Sequence, residues 1–257
     1  MKFGLNLYSV RDLIKTEESF LDTMKKLKET GISFVQYSGA EFDAPRIKRV
    51  SEETGLPVVL THAPYDRIFS DTDALMAEHA SFGCRNIGLG SMPQKIVKDE
   101  AQFYDTVKEL ERVAEKMAAG GFRFFYHNHH FEFFKYGGKT VFEYIVENAP
   151  HVNFTLDTYW VQYGGADVCG LAEKLSGRIE CVHLKDYMIT LTEEGKFEPR
   201  FAPLGDGNMD FKKIIPALKA AGAKYFLIEQ DNAVEFDDPL GQIGRSVEYL
   251  KSNYGGE

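Results

Sequence analysis

Eight short apolar runs, each followed by an amphipathic stretch, succeed one another along the 257 residues of this chain. The runs are Phe3–Leu7, Ser33–Tyr37, Pro57–Thr61, Asn86–Leu89, Phe122–Tyr126, Val152–Leu156, Ile179–Val182 and Tyr225–Ile228. Most are continuously hydrophobic rather than alternating, the pattern of parallel strands covered on both faces. The stretches between them carry helix punctuation. Thr16 stands before Glu17 and Glu18, then Phe20, Met24 and Leu27 make a stripe at helical spacing, and Gly31 ends it. Phe103, Val107, Leu110 and Ala114 repeat the pattern before Gly120 and Gly121, and the last helix is expected from about Pro239 to Leu250.

Eight strand–helix pairs predict an α/β fold closed into a (β/α)8 barrel rather than an open doubly wound sheet. A nucleotide-binding open sheet would carry a glycine-rich turn after its first strand. That position reads Tyr8-Ser9-Val10-Arg11-Asp12. No Pro/Ser-rich linker divides the chain, so residues 1–257 are read as one domain. Two connections are longer than the rest, Tyr65–Thr72 and Lys185–Asp210, and such loops often serve as lids or binding elements.

Composition narrows the function classes. A formal charge of −9 argues against broad contact with nucleic acid, which needs a basic surface to displace phosphate counterions. No run approaches the roughly 20 apolar residues of a membrane helix. Met1-Lys2 leads straight into Phe3–Leu7, so no secretory leader is expected. Cys84, Cys169 and Cys181 form no CxxC pair and are odd in number, the usage of reduced thiols in a cytoplasmic protein.

A parallel barrel collects its reactive groups at the C-terminal ends of its strands, where the βα loops converge. His127, Asp157, His183 and Glu229 each end an apolar run. Imidazoles and carboxylates on one rim predict a site for one divalent metal ion, with Mn²⁺, Mg²⁺, Co²⁺ and Zn²⁺ all compatible with such donors. The densest cluster is Tyr126-His127-Asn128-His129-His130-Phe131-Glu132; continued strand alternation would point His127 and His129 the same way, with Glu132 within a loop turn of the same rim. Asp157 can be a ligand or a plain helix cap. Alternation also aligns His183 with Lys185. Glu229 follows three apolar residues, a costly place for a carboxylate unless it pairs or binds a cation. His62 suits hydrogen bonding to a sugar hydroxyl, and Tyr8 and Trp160, with Tyr65 and Phe131, are candidates for an aromatic wall against a sugar ring. Gly205-Asp206-Gly207 reads as a tight turn whose acidity makes it a poor phosphate cradle.

Taken in order, these pieces resemble the sugar phosphate isomerase/epimerase superfamily, the xylose isomerase-like TIM barrels. The resemblance rests on Leu7–Asp12, His62–Tyr65, Tyr126–His129 with Glu132-Phe133, Leu156–Trp160, His183–Asp186, Gly205–Gly207 with Asp210-Phe211, and Ile228-Glu229. It implies a single metal held by Glu, Asp, His and Glu, with Asp157, His183 and Glu229 on strands six, seven and eight. The chain departs from the pattern at strand five, where many relatives carry Glu and this chain has His127. Glu132 is the first choice for the missing carboxylate and His127 the second. Gln36 likewise replaces a strand-two Glu of many relatives.

The implied chemistry is removal of a proton next to a carbonyl, giving an enediolate, in a keto sugar or related polyol derivative. Proton return yields an isomerase or epimerase; loss of a β-substituent yields a lyase, such as an inosose dehydratase-like or keto-glycoside-eliminating enzyme. Glu132 and Glu229 are the expected acid–base pair, with His127, His129 and Lys185 as rivals. A sugar-binding protein without turnover is the third reading. The superfamily's DNA-repair endonuclease is disfavoured by seven histidines and the charge of −9. By the same analogy the expected partners are a small-molecule sugar and a second copy of the chain in a homo-oligomer, with no nucleic acid and no membrane.

Overall fold

Each apolar run becomes one strand of a closed parallel barrel in the computed structural model, which describes residues 1–255. The strands are β1 (Gly4–Asn6), β2 (Val35–Tyr37), β3 (Val58–His62), β4 (Asn86–Leu89), β5 (Arg123–His127), β6 (Asn153–Asp157), β7 (Cys181–Leu184) and β8 (Tyr225–Ile228). They pair in chain order, and β1 closes the ring against β8. β3, β5, β6 and β7 extend one or two residues beyond their apolar runs. His62, His127, Asp157 and His183 therefore lie inside the ladders rather than in loops.

Alternation along these short strands sorts the side chains into two sets. Leu5, Val35, Tyr37, Phe124, Tyr126, Phe154, Leu156, Val182, Leu184, Phe226 and Ile228 face the helices and join the large core. The opposite parity points into the barrel, where Phe34, Leu60, Phe125, Cys181 and Leu227 form a separate apolar plug. Two residues further along the same strands, the same parity delivers His62, His127, His183 and Glu229, with Asn6, Gln36 and Asp157 from their neighbours. A polar layer thus rests on an apolar one, at the strand ends where a barrel keeps its chemistry.

The helices obey the local signals. Thr16 and Ser19 cap Glu17–Thr30 reciprocally, and Gly31 closes that helix at φ 97°. The final helix runs from Pro239 to Tyr254, four residues past its expected end. Neither long connection is irregular throughout. The first holds a short helix, Tyr65–Ser70. The second contains an antiparallel hairpin, Asp186–Leu191 against Phe197–Ala202. The buried Asp186 carboxylate accepts the backbone N–H groups of Tyr187, Gly205, Gly207 and Met209 at 2.8–3.1 Å, tying the Gly205–Gly207 turn to the end of β7. All three cysteines are free thiols, with Cys84 and Cys181 buried. Among the described residues, no helix is long and apolar enough to cross a membrane.

Closure of the ring depends on β1 lying close to β2. A Cβ at Gly4 would overlap both the ring and the carbonyl oxygen of Phe34. Backbone cannot yield as a flexible side chain does, so Gly4→Ala is expected to destabilise the fold by about 1–3 kcal/mol. Urea unfolding measures it; an unchanged midpoint would refute this account of the β1–β2 contact.

Candidate metal centre

Four buried residues from four consecutive inward positions converge: His127, Asp157, His183 and Glu229 each offer a ligand atom, and these atoms lie within 4.8 Å of one another. Each is held from behind. His127 Nδ1 lies 2.9 Å from the Gly90 carbonyl oxygen, so that nitrogen carries the hydrogen and Nε2 faces Asp157 Oδ2 at 3.4 Å. His183 Nε2 donates to Gln36 Oε1 at 2.7 Å, turning Nδ1 toward Glu229 Oε2 at 2.7 Å and Asp157 Oδ2 at 3.8 Å. That 2.7 Å approach lacks hydrogen-bond alignment, and both His183 Nδ1 and Glu229 Oε2 are buried without a partner by that criterion. The other oxygen of Glu229 accepts from Asn6 Nδ2 at 2.7 Å.

Asp157 caps the following helix, as its position suggested, and keeps its second oxygen for the cluster. Its Oδ1 caps the following helix by accepting from Trp160 N at 3.0 Å, and its Oδ2 faces the cluster. Lys185 shares the inward direction of His183. Its ammonium lies 3.1 Å from Asp157, 3.1 Å from Glu229 and 3.0 Å from Asp231.

The electrostatics ask for more positive charge than the side chains supply. Three carboxylates face one ammonium and the His183 imidazole, so negative charge is in surplus even when that imidazole is protonated. Burial would raise the Asp157 and Glu229 carboxyls, but Lys185 and the imidazoles outweigh it and hold both below the ordinary carboxylate range. Burial would likewise lower His183, yet the charges of Glu229 and Asp157 lift it to about 9. Two imidazole nitrogens and two carboxylates, each braced by an outer hydrogen bond, match a divalent cation in number, chemistry and charge.

Beside this cluster lies a cavity of about 330 Å³ whose lining includes Tyr8, His62, His127, His129, Lys185, Glu229 and Asp231. It reaches the lower end of the size range of small-molecule sites. His129 stands edge-on to His127 at 4.7 Å and stacks on Phe131 at 5.4 Å. Burial, with His127 and Lys185 nearby, pushes it down to about 3, and its Nδ1 is buried without a partner.

Other expected residues stand elsewhere. Glu132, the first choice for the strand-five ligand, lies outside the cluster, whose strand-five member is His127. A 3-10 turn over Phe131–Phe133 folds the chain back, and the Glu132 oxygens accept from Tyr126 Oη at 2.7 Å and from His129 N at 2.8 Å. It is a brace for the His129 loop and does not line the cavity. Trp160 is also outside the lining; its ring centre is 5.3 Å from the Lys185 ammonium, as is that of Phe201. Tyr65 packs on Phe69, away from the site. Asn6, Ser38, Gly90 and Asp231 were not singled out from sequence. Only Asn6, a polar residue inside an apolar run, carried a visible signal.

The xylose isomerase-like TIM barrel family matches residues 24–253. The inosose dehydratase of Geobacillus thermodenitrificans (strain NG80-2) is 27% identical over 177 residues, which is 63% of this chain and 58% of that protein. The chain therefore matches little more than half of that relative's length. A sugar phosphate isomerase/epimerase from Parabacteroides distasonis ATCC 8503 superimposes with a TM-score of 0.79 at 20% identity, over 98% of each chain. A xylose isomerase-like TIM barrel protein from Mycobacterium smegmatis, in complex with magnesium, gives 0.71 at 14% identity, over 98% of this chain and 95% of that one.

The brace has a pH signature. Burial lifts the Glu132 carboxyl to about 7, against the pull of its hydrogen bonds. A carboxyl raised on folding stabilises the fold fully below its unfolded value, and that contribution is lost as pH rises toward 7. Stability from this group should fall by about 3 kcal/mol between roughly pH 4.5 and 7. Glu132→Gln keeps an acceptor for His129 N and should flatten the slope. Urea midpoints across that range compare the two proteins, and identical slopes would refute the assignment.

Proposed function

The chain belongs to the family of xylose isomerase-like TIM barrels, and on that premise we propose that it is a divalent-metal-dependent isomerase or epimerase of a keto sugar or related polyol derivative. One observation carries the reading: a braced His127, Asp157, His183 and Glu229 cluster beside a sugar-sized cavity that also holds proton-transfer groups. These four residues are the proposed ligands. A divalent ion bound there would supply positive charge to a developing substrate oxyanion and so make the neighbouring C–H more acidic.

The remaining residues supply position and proton transfer. His129 lines the cavity as a neutral imidazole and is the proposed proton acceptor, a weak base in its buried state that takes a proton only once the C–H is acidified. Lys185 keeps its proton, because Asp157, Glu229 and Asp231 hold the ammonium against the penalty of burial. It is positioned to donate to an oxygen of the enediolate and, through its charge, to stabilise that species. Tyr8 forms one wall, with the Arg11 guanidinium 4.4 Å above its ring. Proton return to the opposite face or to the adjacent carbon then gives epimer or isomer.

A second reading, a lyase that expels water from the same enediolate, is favoured by the 27% identity to an inosose dehydratase. A panel of ketoses and inososes in D₂O separates the two. Deuterium entering the sugar with all oxygens retained supports the first, and an unsaturated product supports the second. No exchange, with sugar-dependent stabilisation that survives chelation, would leave only a binding protein.

The proposed roles predict distinct variants. Chelation should abolish turnover. His127→Ala and His183→Ala should lower bound metal by at least about tenfold, whereas Glu132→Gln should retain it. Lys185→Met should keep the metal and slow exchange by about 10²-fold. Metal analysis and exchange rates read both outcomes. Full metal content in the two histidine variants would remove the ligand assignment.

A further inference from the structure

Gln36 touches two histidines with the two ends of one amide. Its Oε1 lies 2.7 Å from His183 Nε2, and its Nε2 lies 2.9 Å from His62 Nε2. The side chain is fully buried, so neither end has water as an alternative partner. An amide oxygen only accepts and an amide nitrogen only donates. His183 must therefore carry hydrogen on Nε2, which leaves Nδ1 turned toward the cluster. His62 must offer a lone pair at Nε2, because an N–H there would confront the amide N–H.

The reverse amide orientation is worse on two counts. It would remove hydrogen from His183 Nε2 and move it to Nδ1, whose 2.7 Å approach to Glu229 lacks hydrogen-bond alignment. It would also block that nitrogen as a ligand.

A neutral imidazole with a lone pair at Nε2 carries its hydrogen on Nδ1. That atom of His62 lies beside Gly90, where an added Cβ would stand 2.8 Å away. Gly90 and His62 both line the cavity, so the absence of a side chain at Gly90 leaves room beside the nitrogen.

We propose that Gln36 is a positioning residue that sets the hydrogen-bond sense of the cavity: it fixes His62 as the Nδ1–H tautomer, and His62 then donates to an acceptor oxygen of the bound sugar, a carbonyl or ether oxygen or a hydroxyl acting as acceptor. The recognition half rests on the sugar-converting function proposed above; the tautomer half does not. Replacing the amide by a carboxylate reverses the arrangement. Glu at position 36 has no donor, so His62 must bring hydrogen to Nε2, while His183 keeps its own Nε2–H.

Nitrogen-15 spectra of histidine-labelled protein read this directly, with His62 signals identified by their loss in His62→Ala. In the wild type His62 should be protonated at Nδ1 and bare at Nε2. In Gln36→Glu, His62 Nε2 should become protonated, and His183 should be unchanged. In Gln36→Leu, His62 should lose its single preference. Wild-type His62 bearing hydrogen at Nε2 would overturn the proposal without any variant being needed. So would an unchanged His62 Nε2 in folded Gln36→Glu.

For the recognition half, sugar affinity or KM should weaken about tenfold in Gln36→Glu, the scale of one lost hydrogen bond. Unchanged affinity alongside a reversed tautomer would overturn that half. Zinc added alone provides the separating control. If His183 Nδ1 does not respond to zinc, the metal reading fails and the Gln36–His62 result stands on its own.

Discussion

Side-chain alternation along short parallel strands is the constraint on which everything else in this molecule rests. Strands of three to five residues offer each only one to three inward positions. The position below the polar layer is filled by Leu60, Phe125, Cys181 and Leu227, which seal the barrel. Parity then commits the next inward position to the same axis, where water is scarce and charges are strong. Slipping β8 by one residue would turn Glu229 toward the helices and leave Ile228 in the polar layer. Packing of the plug and placement of the polar cluster are one decision.

A layer of buried charge is tolerable only if every group has somewhere to direct its polarity. Here each inward group has a partner behind it: Gly90 O for His127, Gln36 for His183, Asn6 for Glu229 and the Trp160 amide for Asp157. The unaligned atoms all turn toward one another. Such bracing limits the motion of the four residues and lowers the cost of organising them around a cation. Lys185 is held at the same rim by Asp157, Glu229 and Asp231, while Asp186 beside it gathers the Gly205–Met209 backbone and roots the hairpin.

The expectation at strand five shows where reading by residue type stops. Two candidates, His127 and Glu132, lie five positions apart, and the preference for a carboxylate favoured Glu132. Tertiary structure settles their geometry through bonds that no spacing reveals. The Tyr126 hydroxyl lies on the helix-facing side of β5, and Glu132 follows it there. Trp160 is displaced for a related reason: with its backbone N–H capping onto Asp157, its ring is directed toward Lys185 and Phe201 instead of the cavity. Conversely, Asn6 and Asp231 enter the site through neighbours contributed by distant segments, Glu229 and Lys185.

The chain by itself determined the eight strand–helix units, their order, the rim on which the chemistry gathers and the strand-end positions of His127, Asp157, His183 and Glu229. These follow from local periodicity and capping, which act between residues close in sequence. Only the tertiary structure decided which polar atoms face one another, which carboxyl braces a loop and which nitrogen of each histidine is free. Those choices depend on hydrogen bonds spanning up to 223 positions of sequence, such as Asn6 to Glu229, and on burial that makes each of them strict.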